Sequence, residues 1–139
     1  MICDKRGNPL FFVLTAGNVH DSKAFAHLLQ CFLAYAATMG WSRRFSLLVG
    51  GKGYDSARIC EQCSENGIVP VIPKRIAPNG KDRRDPQFDK AAYRRRNVIE
   101  RCIGWLKECS RVATRYEKLA STYAAMLYLA CAKRLLRQL

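Results

Sequence analysis

The sequence predicts an α/β domain, a mixed sheet flanked by helices. Three observations carry this. Short apolar runs alternate with segments of helical period, in the order strand, helix, strand, helix, strand, basic loop, helix, helix. The chain has 139 residues, 49% of them apolar, which suits one domain over 1–139 with a buried core. No run of about 18 apolar residues occurs. The basic residues near the N-terminus precede no apolar stretch of leader length, so neither a membrane span nor a secretory leader is expected.

Ile2 and Cys3 give a very short first strand, read as the second arm of a hairpin whose first arm is missing. Residues 4–9 read as a turn in which Gly7 suits a positive φ. The apolar run 10–15, with two Phe and a Val, favours a buried strand and is broken by Gly17-Asn18. Asp21 or Ser22 then caps a helix whose apolar positions are Phe25, Leu28, Leu29, Phe32, Leu33 and Ala36, ended by Gly40. Residues 45–49 form a second strand stopped by Gly50-Gly51. Residues 56–65 form a helix closed by Asn66-Gly67. In 68–72, Pro70 makes the third strand irregular or an edge. Strands and helices thus fill 1–72, and a Pro-rich basic loop covers 73–87. A helix over 88–108 turns Phe88, Ala92, Ile99, Cys102, Ile103 and Leu106 to the core. A last helix over 117–138 turns Ala120, Tyr123, Ala124, Leu127, Ala130, Cys131 and Leu135 inward.

Charge narrows the partner. Lys and Arg number 24 against 11 Asp and Glu, a net charge of +13, which points to a polyanion and above all to nucleic acid. Residues 1–66 hold 7 basic and 5 acidic residues; 67–118 hold 14 and 6; Lys133, Arg134 and Arg137 follow. The polyanion-facing surface is therefore expected in the second half. Seven cysteines, odd in number and irregular in spacing, are expected to be reduced in a cytosolic chain. Cys60-x2-Cys63 has no second pair to complete a zinc site, so both are expected as small apolar residues on one helical face.

Tyr93, Arg96, Glu100 and Lys107 form the constellation with chemical content. At about 100° per residue, a continuous helix puts these four within an arc of about 60°. A lone carboxylate among Arg94, Arg95, Arg96 and Arg101 has two readings. One is a surface ion-pair cluster, worth little. The other is a metal-binding carboxylate beside phosphate-binding cations.

Tyr93-x2-Arg96-x3-Glu100-x6-Lys107 resembles the Y-x2-R-x3-E-x6-K pattern of bacterial insertion-sequence transposases, and all four positions match. Pro70-Val-Ile-Pro-Lys-Arg, Leu14-Thr-Ala-Gly-Asn-Val-His-Asp-Ser, Gly53-Tyr-Asp-Ser and Arg111-Val-Ala-Thr-Arg-Tyr-Glu-Lys look like the same family. The resemblance covers nearly the whole chain and points to the insertion-sequence-five group of Asp-Asp-Glu (DDE) transposases. It implies an RNase-H-like fold and a bacterial cytoplasmic, nucleoid-associated protein acting on DNA. Three family carboxylates hold two Mg²⁺ (or Mn²⁺) ions, which activate the nucleophile and steady the leaving oxygen at a DNA phosphodiester. By this resemblance Glu100 is the third carboxylate and a metal ligand. Tyr93, Arg96, Lys107, Lys52, Arg94 and Arg95 form the set that meets phosphate or DNA.

The chain departs from the pattern at two carboxylates. The family's second one falls in Ala-Asp-Lys-x-Tyr-Asp; here Gly51 holds that position, and Asp55 is the later, non-catalytic aspartate, expected as a helix N-cap. The first carboxylate belongs to a strand upstream of this sequence, and Asp4 does not match it. The resemblance therefore implies a truncated domain that binds DNA without cutting it and does not hold its metal stably. An alternative is a non-enzymatic regulatory module that self-associates or pairs with a full-length transposase. His20 and His27 are expected in structural roles, and Trp41 and Trp105 in the core or facing a partner. A sheet without its first strand should leave the isolated chain marginal in stability.

Overall fold

β-Strands Ile2–Cys3 (β1) and Pro9–Phe11 (β2) pair antiparallel, Ile2 opposite Phe11 and Cys3 opposite Pro9. The computed structural model describes residues 1–41, 45–75 and 87–137. Ile2 and Cys3 form the first arm of the hairpin with β2. The turn is closed by Asp4, whose Oδ1 accepts from the backbone N–H groups of Arg6 and Asn8, each at 2.8 Å. Gly7 has φ +84°, and a Cβ there would meet the Val98 carbonyl at 3.2 Å and the Trp105 ring at 3.3 Å. Conformation and close approach both require glycine.

Helix Asp21–Thr38 (α1) is capped by His20, whose Nδ1 accepts from the Ser22 N–H at 3.3 Å. The cap thus falls one residue before Asp21 and two before Ser22, and it gives His20 a structural role. Strands Leu47–Val49 (β3) and Val69–Val71 (β4) pair in parallel. Pro70 lies opposite Leu48 within β4. Because Val69 N–H donates to the Ser46 carbonyl, position 70 directs its nitrogen away from β3, and proline is tolerated. Helix Ala57–Glu65 (α2) crosses over between them. Its end is a Schellman turn: Gly67 N–H donates to Ser64 O, and Ile68 N–H to Cys63 O, each at 2.9 Å.

The predicted helix over 88–108 is broken. Lys90–Arg94 (α3) ends in a tight turn in which Arg96 N–H donates to Tyr93 O at 2.9 Å, and Asn97–Lys107 (α4) starts afresh. Ser110–Ala113 (α5) and Ala120–Leu136 (α6) follow. Most of the predicted basic loop, residues 76–86, and position 138 of the predicted last helix lie outside the described residues.

Two units share these elements. Residues 15–96 contain α1, α2, α3, β3 and β4, with a core of Phe25, Leu29, Ile59, Cys63, Ile68 and Ile72. Cys63 is fully buried, and that burial pushes its thiol up from 9.0 to about 11. Residues 1–14 with 97–139 contain the hairpin, α4, α5 and α6, around Cys102, Leu106, Val112 and Leu127. This second core is rich in sulfur: Met1, Cys3, Cys109, Met126 and Cys131 pack on it. The Cys102 thiol donates to Met1 Sδ at 3.9 Å, and a hydrogen bond with Cys102 plus burial push the Cys3 thiol up. Ile103 and Leu135, expected in the core, are 38% and 44% exposed. The α/β architecture holds, but among the described residues the strands form two small sheets, one parallel and one antiparallel, instead of one mixed sheet. Among the described residues no helix is long and apolar enough to cross a membrane.

Candidate functional site

The parallel pair β3–β4 sets the position of the first part of the site. In open parallel sheets, ligands gather beyond the carboxyl ends of the strands. There β3 runs into Gly50-Gly51 and a short 3-10 helix, Lys52–Tyr54, while β4 runs into Ile72-Pro73-Lys74-Arg75. Gly50 N–H donates to Val71 O at 3.1 Å and extends the ladder into the loop.

Arg75 holds this loop. Its Nε donates to Lys52 O at 2.8 Å, and its Nη2 to Gly53 O at 3.0 Å. Its backbone N–H donates to Asp55 Oδ2 at 2.7 Å, and Lys74 Nζ lies 3.4 Å from Asp55 Oδ1. The Asp55 side chain is only 7% exposed. Its carboxylate therefore ties the exit of β4 to the loop after β3; the N-cap of α2 is Ser56. The expectation of Asp55 as a helix cap is corrected accordingly. Arg75 closes the family-like Pro70-Val-Ile-Pro-Lys-Arg segment, but nothing in that segment marks it as the residue that holds the loop after β3.

Gly51 has φ −75° and ψ 167°, a conformation open to any residue. A Cβ built there meets only Arg96 Nη1, at 3.7 Å. Position 51 thus faces a guanidinium. The Arg96 guanidinium also lies 5.7 Å from the centroid of the Tyr93 ring, which packs on Phe88 with centroids 5.3 Å apart. Arg94, Arg95 and Lys52 are exposed. Tyr54 is half-buried, 5.9 Å from Phe25 between ring centroids, and burial together with the charge of Asp21 pushes its phenol up.

Glu100 and Lys107 stand on α4, in the other unit. Seven residues apart, they share one face, about 20° apart around the axis. Cys102 and Leu106 are buried on the roughly opposite face. Glu100 lies in the first turn and Lys107 in the last, each where the helix dipole favours its charge. The turn at Arg95 and Arg96 means that the four motif residues do not form one helical arc. Tyr93 and Arg96 belong to residues 15–96, and Glu100 and Lys107 to the second unit.

The donor set does not fit a two-metal centre. Mg²⁺ takes oxygen ligands, whereas position 51 offers no side-chain oxygen and faces a cation. Among the described residues no group of three or more His, Cys, Asp or Glu is placed to hold a metal ion. The carboxylate nearest in sequence to position 51, Asp55, is engaged by Lys74 and Arg75. No metal-dependent step follows from these residues.

Comparison with known proteins gives two findings. The family model described as the transposase DDE domain matches residues 1–133. A Burkholderia cepacia protein named as a transposase for insertion sequence element IS402 is 30% identical over 132 residues. That match covers 94% of this chain, and the chain spans 58% of the length of that relative. No solved structure gives a significant match.

Proposed function

The chain belongs to the transposase DDE-domain family, and from that premise we propose that it takes part in DNA transposition as a DNA-binding member that does not cut. The family identity supports DNA as the polymer, and the net charge of +13 supplies the attraction. Tyr93, Arg94, Arg95, Arg96 and Lys52 in one unit, and Lys107 in the other, are the residues proposed to meet phosphate. Glu100 takes the place of the third carboxylate. The fold is read as RNase-H-like and the subgroup as insertion-sequence-five. A bacterial, nucleoid-associated location follows from DNA as partner.

One observation carries the inactivity: glycine at position 51, opposite the Arg96 guanidinium at 3.7 Å. An aspartate there would pair with Arg96 and offer a metal its free oxygen. Glycine supplies no side-chain oxygen there, to the guanidinium or to a metal. The test is binding and nicking of a short duplex over a salt series, with and without Mg²⁺ or Mn²⁺. Steep salt-dependent binding without metal-dependent cleavage is expected. Cleavage by the unaltered chain that disappears in Glu100→Ala would overturn the inactive reading.

A second reading, pairing with a longer transposase, has its own observation. Leu47 and Val69 lie on the two-stranded β3–β4 pair and are 47% and 60% exposed. Exposed apolar strands invite another chain. Co-elution with a full-length transposase, lost in Val69→Lys, is the expected result.

A further inference from the structure

We propose that the groove between α4 and α6 is a phosphate site that seats one phosphodiester of the DNA backbone. This deepens the DNA-binding reading and rests on it. The groove lies within the unit formed by 1–14 and 97–139 and has a cavity volume of about 300 Å³. Trp105 and Glu108 line it from the α4 side, and Leu129, Lys133, Arg134 and Arg137 from α6. None of these was singled out for DNA contact by the family motif.

Arg134 is the centre of the site. Its guanidinium carbon sits 3.4 Å from the centroid of the Trp105 ring, a stack that fixes the plane of the group and uses its face. Stacking leaves the edge for hydrogen bonds. Its Nε is buried with no hydrogen-bond partner among the described residues. Arg134 lines the groove, and the edge formed by its two Nη groups is the side of the fork left to grip a phosphate bidentately. A guanidinium placed only to offset the helix dipole needs neither an aromatic seat nor a buried Nε.

The charge suits a diester. Lys133, Arg134 and Arg137 bring three positive charges, and Glu108 removes one. The C-terminal ends of α4 and α6 each add about half a negative charge. About one positive charge remains, matching the single charge of a backbone phosphate. The Arg137–Glu108 pair is long, at 3.8 Å, and both side chains are about 60% exposed, so Arg137 can exchange partners at little cost. Leu129 gives the adjoining sugar an apolar wall.

The chain has two tryptophans, so Trp41→Phe leaves Trp105 as the reporter. In that background a short labelled duplex is titrated, following both its anisotropy and Trp105 emission, with inorganic phosphate titrated in parallel. The expected result is a Trp105 response that tracks duplex binding and a far weaker response to phosphate. Lys133→Ala with Arg137→Ala removes one phosphate contact: about eightfold in affinity at 0.1 M salt, and a salt slope flatter by about 0.9. Arg134→Lys keeps the charge and loses the fork, and it should weaken binding with the melting temperature held. If the duplex binds, Trp105 stays silent and the double variant binds as tightly, the groove assignment falls and the DNA-binding reading stands. If inorganic phosphate alone saturates the Trp105 response as readily as duplex does, the backbone assignment falls. If the unaltered chain binds no duplex at low salt, both readings fall together.

Discussion

Residues 15–96 and the unit formed by 1–14 with 97–139 each carry half of the four-residue family motif, and they hold it differently. In the first, Tyr93 and Arg96 are half-buried, and Arg96 reaches position 51 beside a loop clamped by Arg75 and Asp55. In the second, Glu100 and Lys107 are exposed on one face of α4, anchored from behind by Cys102 and Leu106. The loop's form rests on the Lys52 and Gly53 carbonyls, on Asp55 and on Arg75, with no contribution from a side chain at position 51.

The cores differ as well, and the largest expected effects lie there. Phe25→Ala removes a buried ring from residues 15–96 and should cost about 3–5 kcal/mol. Leu106→Ala in the sulfur-rich core should cost about 2–5 kcal/mol, toward the lower end because Met1 and Met126 can refill the space. Chemical denaturation measures both. Equal losses would show that the sulfur-rich core adapts no better than the other.

Asp55→Ala comes next. It strands the Lys74 ammonium and the Arg75 N–H, so the loss should be about 1.5–3 kcal/mol, with faster hydrogen exchange at the Arg75 amide. An unchanged exchange rate would mean that the clamp does not hold the loop. Gly67→Ala is smaller: at φ +68° an added Cβ costs about 1–2 kcal/mol, read as a lower melting temperature. The smallest effect concerns pH. The Cys63 thiol is pushed up to about 11, whereas the unfolded chain ionises near 9.0. The stabilising contribution is complete below pH 9.0 and is lost as pH rises through about 11. Cys63→Ala should flatten that alkaline limb.

Much of this was legible in the sequence. The apolar positions Phe25, Leu29, Phe32 and Ala36 mark the buried face of α1, and Asn66-Gly67 marks the end of α2, because period and terminator are local signals. The motif residues were legible too, by their spacing. The break at Arg95 and Arg96 was not. No glycine or proline stands there, so nothing in the local sequence interrupts the helical pattern. The roles of Asp55 and Arg75, and the stack of Arg134 on Trp105, depend on residues 20 and 29 positions apart meeting in space. Local pattern carries no signal for that. The division of the strands into two sheets belongs to the same class, since pairing is set by tertiary contacts.

The central claim is that glycine at position 51 leaves a DNA-binding chain unable to cut. Its most direct test incubates supercoiled plasmid with the chain, with and without Mg²⁺ or Mn²⁺, at a salt concentration where binding is saturated. The prediction is retarded but intact plasmid under every condition. Metal-dependent nicking, lost in Glu100→Ala, would contradict it and place a working metal centre on this chain despite Gly51.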